Sequence, residues 1–334
     1  MPVRFGVWYD GPRPRNKADA FKKIKQLMDW GFTDVILQLN DFKNITENWN
    51  DDILFWTIEA INTLGGEAYV MDWSWSKVDR LEAQVRTLKK IERRGEIEAY
   101  QMDCEGSWAD RDADGDGDYD AAEAFIEAHK SEGIKSQVGV TSLVVLDAPK
   151  QRDVEGLCLQ LHEAGLLHHI CPQAYSSRLA SVPWTMKTDL VLPGRTQRFA
   201  VTHWKDLAEA TGAPVYLGMS GYGQSYFGND PAASFDIAYR EALKVSKPLN
   251  VSRLWIWSRK HLLGAGKEDR AIRELVRRWS ADPSINLLGH DRNLSALSIP
   301  GVSQDQILRA AALTSLAVGG AAAMAFFFNA MRRT

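Results

Sequence analysis

Short apolar runs alternate along this chain with longer stretches in which apolar positions recur at helical spacing. Phe5-Gly6-Val7-Trp8-Tyr9-Asp10 reads as a strand, residues 18–30 as an amphipathic helix stopped by Gly31, and 33–40 as a second strand. The alternation continues through helix 51–64, which ends at Gly65-Gly66, strand 67–73, the charged helix 77–94 and strand 98–105. Helix 121–131, strand 135–142, helix 152–164 and strand 169–175 follow, then helix 202–211 and strand 214–220. Helix 231–245, strand 252–257 and helix 268–279 complete the series. Strands alternating with helices build a parallel sheet, because each crossover must carry the chain back to the same end. Eight such units within residues 1–280 predict an α/β fold, a closed (β/α)8 TIM barrel, rather than an open doubly wound sheet. No Gly-rich phosphate fingerprint follows the first strand, which argues against a dinucleotide site.

The pattern changes after the last helix. Residues 281–305 form a linker containing Pro, Asn and Ser, and 306–334 a C-terminal hydrophobic helix. From Ala310 to Met331 there is no charged residue, and Arg332 and Arg333 close the run. A helix of that length reaches roughly 33 Å, enough to cross a bilayer core, so the tail is expected to be transmembrane. No N-terminal signal peptide is visible. The net charge of −3 gives no reason to expect nucleic acid as a partner. Cys104, Cys158 and Cys171 are odd in number and lack metal spacing, so they read as reduced, buried thiols.

In a barrel of this kind active sites lie at the C-terminal ends of the strands. Those ends, with the aromatics beside them, carry Trp8, Asp10, Asn40, Asp72, Trp73, Asp103, Glu105, Trp108, Gln173, Tyr175, Tyr222 and Trp257. Acids, amides and aromatic faces around one mouth suit a polyhydroxylated ligand, because rings stack on sugars and polar groups bind hydroxyls. Asp103 and Glu105 are two apart on one strand and share a face. Two close carboxylates oppose each other's charge, so one keeps its proton near neutral pH, as a general acid requires. Glu105 is the expected acid and Asp103 its helper. Residues two apart on one strand do not flank a sugar ring, so a second acid acting from across the pocket would be Asp10 or Asp72.

These residues resemble those of the family 25 lysozymes and, more distantly, the family 18 chitinases. In both, the fourth strand ends in Asp-x-Glu, as in Asp103-Cys104-Glu105. Gln173-Ala174-Tyr175 is similar to the sixth-strand Tyr motif of family 18, and Trp257 to its eighth-strand Trp at the floor of the sugar pocket. Asp10 resembles the first-strand Asp of family 25. The resemblance implies hydrolysis of peptidoglycan or another N-acetylated glycan, with Tyr175 holding the carbonyl of an N-acetyl group. Two positions depart from family 18: Gln101 stands where an acid is usual, and Ser176 follows the Tyr where Asp is usual. The competing expectation is a non-catalytic glycan-binding or structural barrel of a virion or cell envelope.

A second motif follows the fourth strand. Residues 112–123 match the twelve-residue EF-hand loop, with Asp112, Asp114, Asp116 and Asp120 at ligand positions 1, 3, 5 and 9. Gly117 is at position 6, Asp118 supplies a backbone carbonyl at position 7, and Glu123 closes the loop at position 12. The expected cofactor is a structural Ca²⁺, pinning the loop beside Glu105. His168-His169 reads as local packing, and the Lys and Arg of 77–94 as a solvated helix face. The absent signal peptide together with the hydrophobic tail points to a membrane-associated or virion-associated protein, such as a bacteriophage virion or lysis enzyme. Its expected partners are a glycan, a membrane and virion or envelope proteins.

Overall fold

Apolar residues on both faces of every strand leave one arrangement open: a sheet with helices outside and side chains filling the inside. A computed structural model of the chain describes residues 4–10, 12–39, 51–73, 78–104, 119–143, 152–174, 200, 202–220, 251–257 and 267–281. The strands are β1 Arg4–Tyr9, β2 Asp34–Gln38, β3 Glu67–Trp73, β4 Ala99–Asp103, β5 Gln137–Leu143, β6 Leu167–Gln173, β7 Tyr216–Ser220 and β8 Arg253–Trp257. Each pairs in parallel with the next, and β8 returns to β1, closing the barrel. The described helices are α1 Lys17–Asp29, α2 Asp51–Thr63, α3 Val78–Glu92, α4 Tyr119–Ser131, α5 Arg152–Glu163, α6 Lys205–Thr211 and α7 Lys267–Ser280. The expected helix 231–245 and the tail 306–334 lie outside the described residues. Among the described residues no helix is long and apolar enough to cross a membrane.

Helix α1 shows how the local sequence sets an element. The Asn16 side chain accepts a hydrogen bond from the Asp19 amide at 2.9 Å and so caps the first turn. Ala20, Ile24 and Leu27 recur at helical spacing and are fully buried against the sheet. Gly31 then ends the segment at φ 94°, a left-handed conformation that costs glycine little.

Strand alternation divides the core in two. Residues such as Val7, Leu37, Val70, Met102 and Ile256 face the helices. A second cluster, with Trp8, Ile36, Tyr69, Met71, Tyr216 and Trp255, fills the barrel itself. At the N-terminal end the interior carries charge. Asp34, with no exposed surface, pairs with Arg4 at 2.9 Å and Arg253 at 2.8 Å, and accepts from the Trp255 indole at 3.1 Å. Glu67 also pairs with both arginines. Arg253 donates to the Tyr69 hydroxyl at 2.7 Å, which donates to Glu67 at 3.0 Å. Burial opposes the charge on Glu67, but the two guanidiniums outweigh it and hold this carboxyl below the usual range.

Candidate active site

The site is built from the C-terminal half of β4 outward. Tyr100 and Met102 belong to the helix-facing core, Tyr100 stacking on Phe125 of α4 with centroids 6.3 Å apart. Alternation therefore turns Ala99, Gln101 and Asp103 into the barrel. Asp103 ends the strand in register with Trp73 of β3 and Thr141 of β5. It is 5% exposed and accepts a hydrogen bond at 2.9 Å from the amide nitrogen of Gln173, two strands away on β6. The Thr141 hydroxyl between them is committed to the Cys171 carbonyl at 2.7 Å. The amide oxygen of Gln173 is buried and has no hydrogen-bond partner among the described residues. Such an atom is costly to leave unpaired, so it marks a place where a ligand or water belongs.

Aromatics form the neighbouring wall. Trp8 is buried in the inner cluster, and its indole donates to the Met71 sulfur at 2.9 Å. Trp257, half-buried at the end of β8, leans on Trp8 with centroids 5.8 Å apart and planes at 59°. Asp10 follows β1 and is half-buried. Arg13, which sequence reasoning missed, donates to the carbonyls of Tyr9 at 3.2 Å and Gln38 at 2.9 Å, tying the ends of β1 and β2 together. Its signal was an Arg just past a strand end, a position open to many readings.

Beneath Asp103 lies a polar column that sequence reasoning also missed. Gln101 is fully buried, and its amide oxygen contacts Nε2 of His169 on β6. His169 lies flat on Tyr216 with centroids 4.1 Å apart. The pair exists because residue 139 is glycine: a Cβ there would stand 2.1 Å from the His169 ring and 2.5 Å from the Gln101 oxygen.

One expected mouth residue faces the other way. Asp72 shares its side of β3 with Ala68 and Val70 and so faces the helices. It is buried, with one carboxylate oxygen 3.3 Å from the Tyr100 hydroxyl and the other without a partner among the described residues. Burial pushes its pKa up to about 7, the Tyr100 hydroxyl opposing. Asp72 is therefore neither a sugar contact nor a second acid in the cup. Trp73, its neighbour, has the parity of the interior, but its side chain lies outside the described residues. So do Asn40, Glu105, Trp108, Tyr175, Tyr222, Asp112, Asp114, Asp116 and Asp118. Helix α4 begins at Tyr119, two residues before the expected start, with Asp120 in its first turn and Glu123 exposed on it. Among the described residues no group of three or more His, Cys, Asp or Glu is arranged to hold a metal ion.

With this geometry in place the chain can be set beside known proteins. No family model and no curated protein matches it. It is similar to the solved structure of a GH113 beta-1,4-mannanase, at 12% identity over 84% of this chain and 99% of that one, with a TM-score of 0.54. It is similar to active domain 2 of a chitinase from Pyrococcus furiosus, at 11% identity over 84% and 95% of the two chains, with a TM-score of 0.52. A GH18 chitinase from Pseudoalteromonas aurantia matches at 12% identity over 81% and 99%, with a TM-score of 0.51. The chain shares its fold with these barrel hydrolases. At such identities the likeness is one of architecture, and fold does not carry function with it.

Proposed function

We propose that the chain is a glycosidase acting on peptidoglycan or another N-acetylated glycan, in the manner the resemblance to family 25 lysozymes and family 18 chitinases implies. The observation that carries this reading is Asp103 at the end of β4, turned into the mouth and held by the Gln173 amide. Glu105, two residues further along the chain, is the general acid that protonates the glycosidic oxygen. Asp103 stabilises positive charge at the reacting carbon and orients an N-acetyl group, whose carbonyl Tyr175 receives. Trp257, backed by the buried Trp8, supplies the aromatic face on which a sugar ring stacks. Asp10 remains the candidate for a second acid across the pocket. The fold shared with a mannanase and two chitinases supports a glycan substrate without choosing among glycans.

The EF-type loop 112–123 is proposed to hold Ca²⁺ next to the mouth, where it neutralises carboxylates that would otherwise repel one another. Calorimetric titration with Ca²⁺ is expected to show binding, and a chelator is expected to lower the melting temperature. Absence of both effects removes the ion. The apolar tail is proposed to engage a membrane, with the protein carried by a virion or envelope.

Glu105→Gln tests the catalytic reading. It is expected to reduce the release of new reducing ends from purified peptidoglycan or N-acetylated oligosaccharides by about 100-fold or more, with folding intact. Wild-type turnover in that variant sinks the assignment. The buried neutral Gln101 at a position where family 18 carries an acid favours a second reading, a glycan-binding barrel without chemistry. Such a barrel retains oligosaccharide and releases no reducing ends.

A further inference from the structure

A chain of polar contacts runs through the barrel from its N-terminal rim to the floor of the mouth. Glu98, before β4, meets Nε2 of His168 at 3.4 Å. Nδ1 of His168 meets Nδ1 of His169 at 2.8 Å, and Nε2 of His169 meets the Gln101 amide. The other amide atom of Gln101 is buried and has no partner among the described residues. It lies two residues from Asp103 on the same face of β4. The side-chain exposure of His168 is 16%, whereas His169 has none.

Counting protons along this chain leaves two consistent arrangements, because each contact between a ring nitrogen and its neighbour holds one proton. With His168 neutral, its Nε2–H donates to Glu98 and its Nδ1 is bare. His169 must then donate from Nδ1, its Nε2 is bare, and Gln101 must turn its N–H toward the ring and its carbonyl away from it. With one proton added to His168, both its nitrogens donate. His169 then accepts at Nδ1 and donates from Nε2, and Gln101 turns its carbonyl to the ring and its N–H away from it. The second arrangement is the one in which the Gln101 oxygen faces His169. His169 stays neutral in both, which agrees with its surroundings: burial, then His168 and the Arg253 guanidinium, press its pKa well below the usual value. His168 is the site that can take the proton. Burial lowers its affinity for one more than Glu98 raises it, so its pKa lies below the ordinary value. The groups facing it are Glu98, Glu67 and Tyr69, Arg253, Tyr216 and His169.

We propose that His168, His169 and Gln101 form a proton-linked relay in which protonation at the N-terminal rim reverses the Gln101 amide beneath Asp103. An N–H facing Asp103 favours its carboxylate, and a carbonyl there favours its carboxylic acid. Gln101 is thus a positioning residue, acting on the mouth through the orientation that His169 allows it. Gly139 makes the relay possible by leaving room for the ring against the amide. The consequence for catalysis rests on the glycosidase reading of the mouth, but the relay does not.

The test uses the full chain labelled with ¹⁵N-histidine and ¹³C-aspartate, titrated from acid to mildly alkaline pH and followed by NMR. As His168 takes up its proton, the protonated and bare nitrogens of His169 are expected to exchange places while that ring stays neutral. The Asp103 carboxyl signal is expected to show an inflection at the same pH. Gln101→Met should remove that inflection while His168 still titrates, which separates the relay from a charge acting through space. His168→Phe should hold His169 in one tautomer at every pH. If Gln101→Met does not fold, the wild-type tautomer measurement and His168→Phe still decide. A single His169 tautomer throughout the wild-type titration, or an inflection that survives in Gln101→Met, overturns the relay. If glycan turnover is absent but the tautomers exchange, the glycosidase reading fails and the relay stands.

Discussion

The two ends of the barrel interior are made from the same eight strands and use their polar residues in opposite ways. At the N-terminal end the buried Asp34 and the half-buried Glu67 each meet two guanidiniums, and a Trp and a Tyr complete the set around them. At the C-terminal end Asp103 meets an amide, Gln173, whose oxygen has no partner among the described residues. Charges paired this way close one end of the barrel and leave little for a ligand to gain. Hydrogen-bonding capacity left over at the other end is what a ligand can use. The contrast separates residues that hold the fold from residues available for chemistry, and substitutions at each end should behave accordingly.

The largest effect on stability is expected at the closed end. Arg253→Leu leaves Asp34 and Glu67 each short of a partner in the interior, and should cost about 3–5 kcal/mol in denaturant unfolding. A loss under 1 kcal/mol there, on the scale of an exposed ion pair, would erase the contrast between the ends. A smaller effect of opposite sign is expected from Asp72, which belongs to neither end. Its carboxyl titrates near pH 7 in the fold against an ordinary value of 3.8, so the fold binds its proton more tightly than the unfolded chain does. Its stabilising contribution is whole below about pH 4 and is lost as pH rises through about 7. Asp72→Asn keeps a neutral side chain at every pH, so it should be more stable than wild type at pH 8 by roughly 1–3 kcal/mol, the gap closing toward pH 4. Equal stabilities at pH 8 would show that Asp72 carries no burial penalty.

The barrel was legible in the sequence because its signals are local. Apolar strands, helical spacing and glycines such as Gly31 and Gly65 at the helix ends each speak for themselves, and the described strands fall where the pattern put them. The Asp103 position was legible for the same reason. Nearness to a strand end does not by itself put Asp72 in the mouth. Parity decides which side a residue faces, and on β3 it is fixed by the pairing of Glu67 inside the barrel. The His168–His169–Gln101 column was invisible because it joins residues 68 positions apart, through a space that exists only at Gly139. Packing describes the His168 and His169 rings but not the polar chain they carry. The acidic loop 112–118 and Glu105 lie outside the described residues.

The direct test of the open end is the release of reducing ends from N-acetylated oligosaccharides by Asp103→Asn, measured beside wild type with both melting temperatures. Asn keeps the shape and an acceptor for Gln173, so the two melting temperatures should agree while turnover falls by about 100-fold or more. Wild-type turnover in Asp103→Asn would contradict the account, because the acid facing the mouth would then have no part in the chemistry.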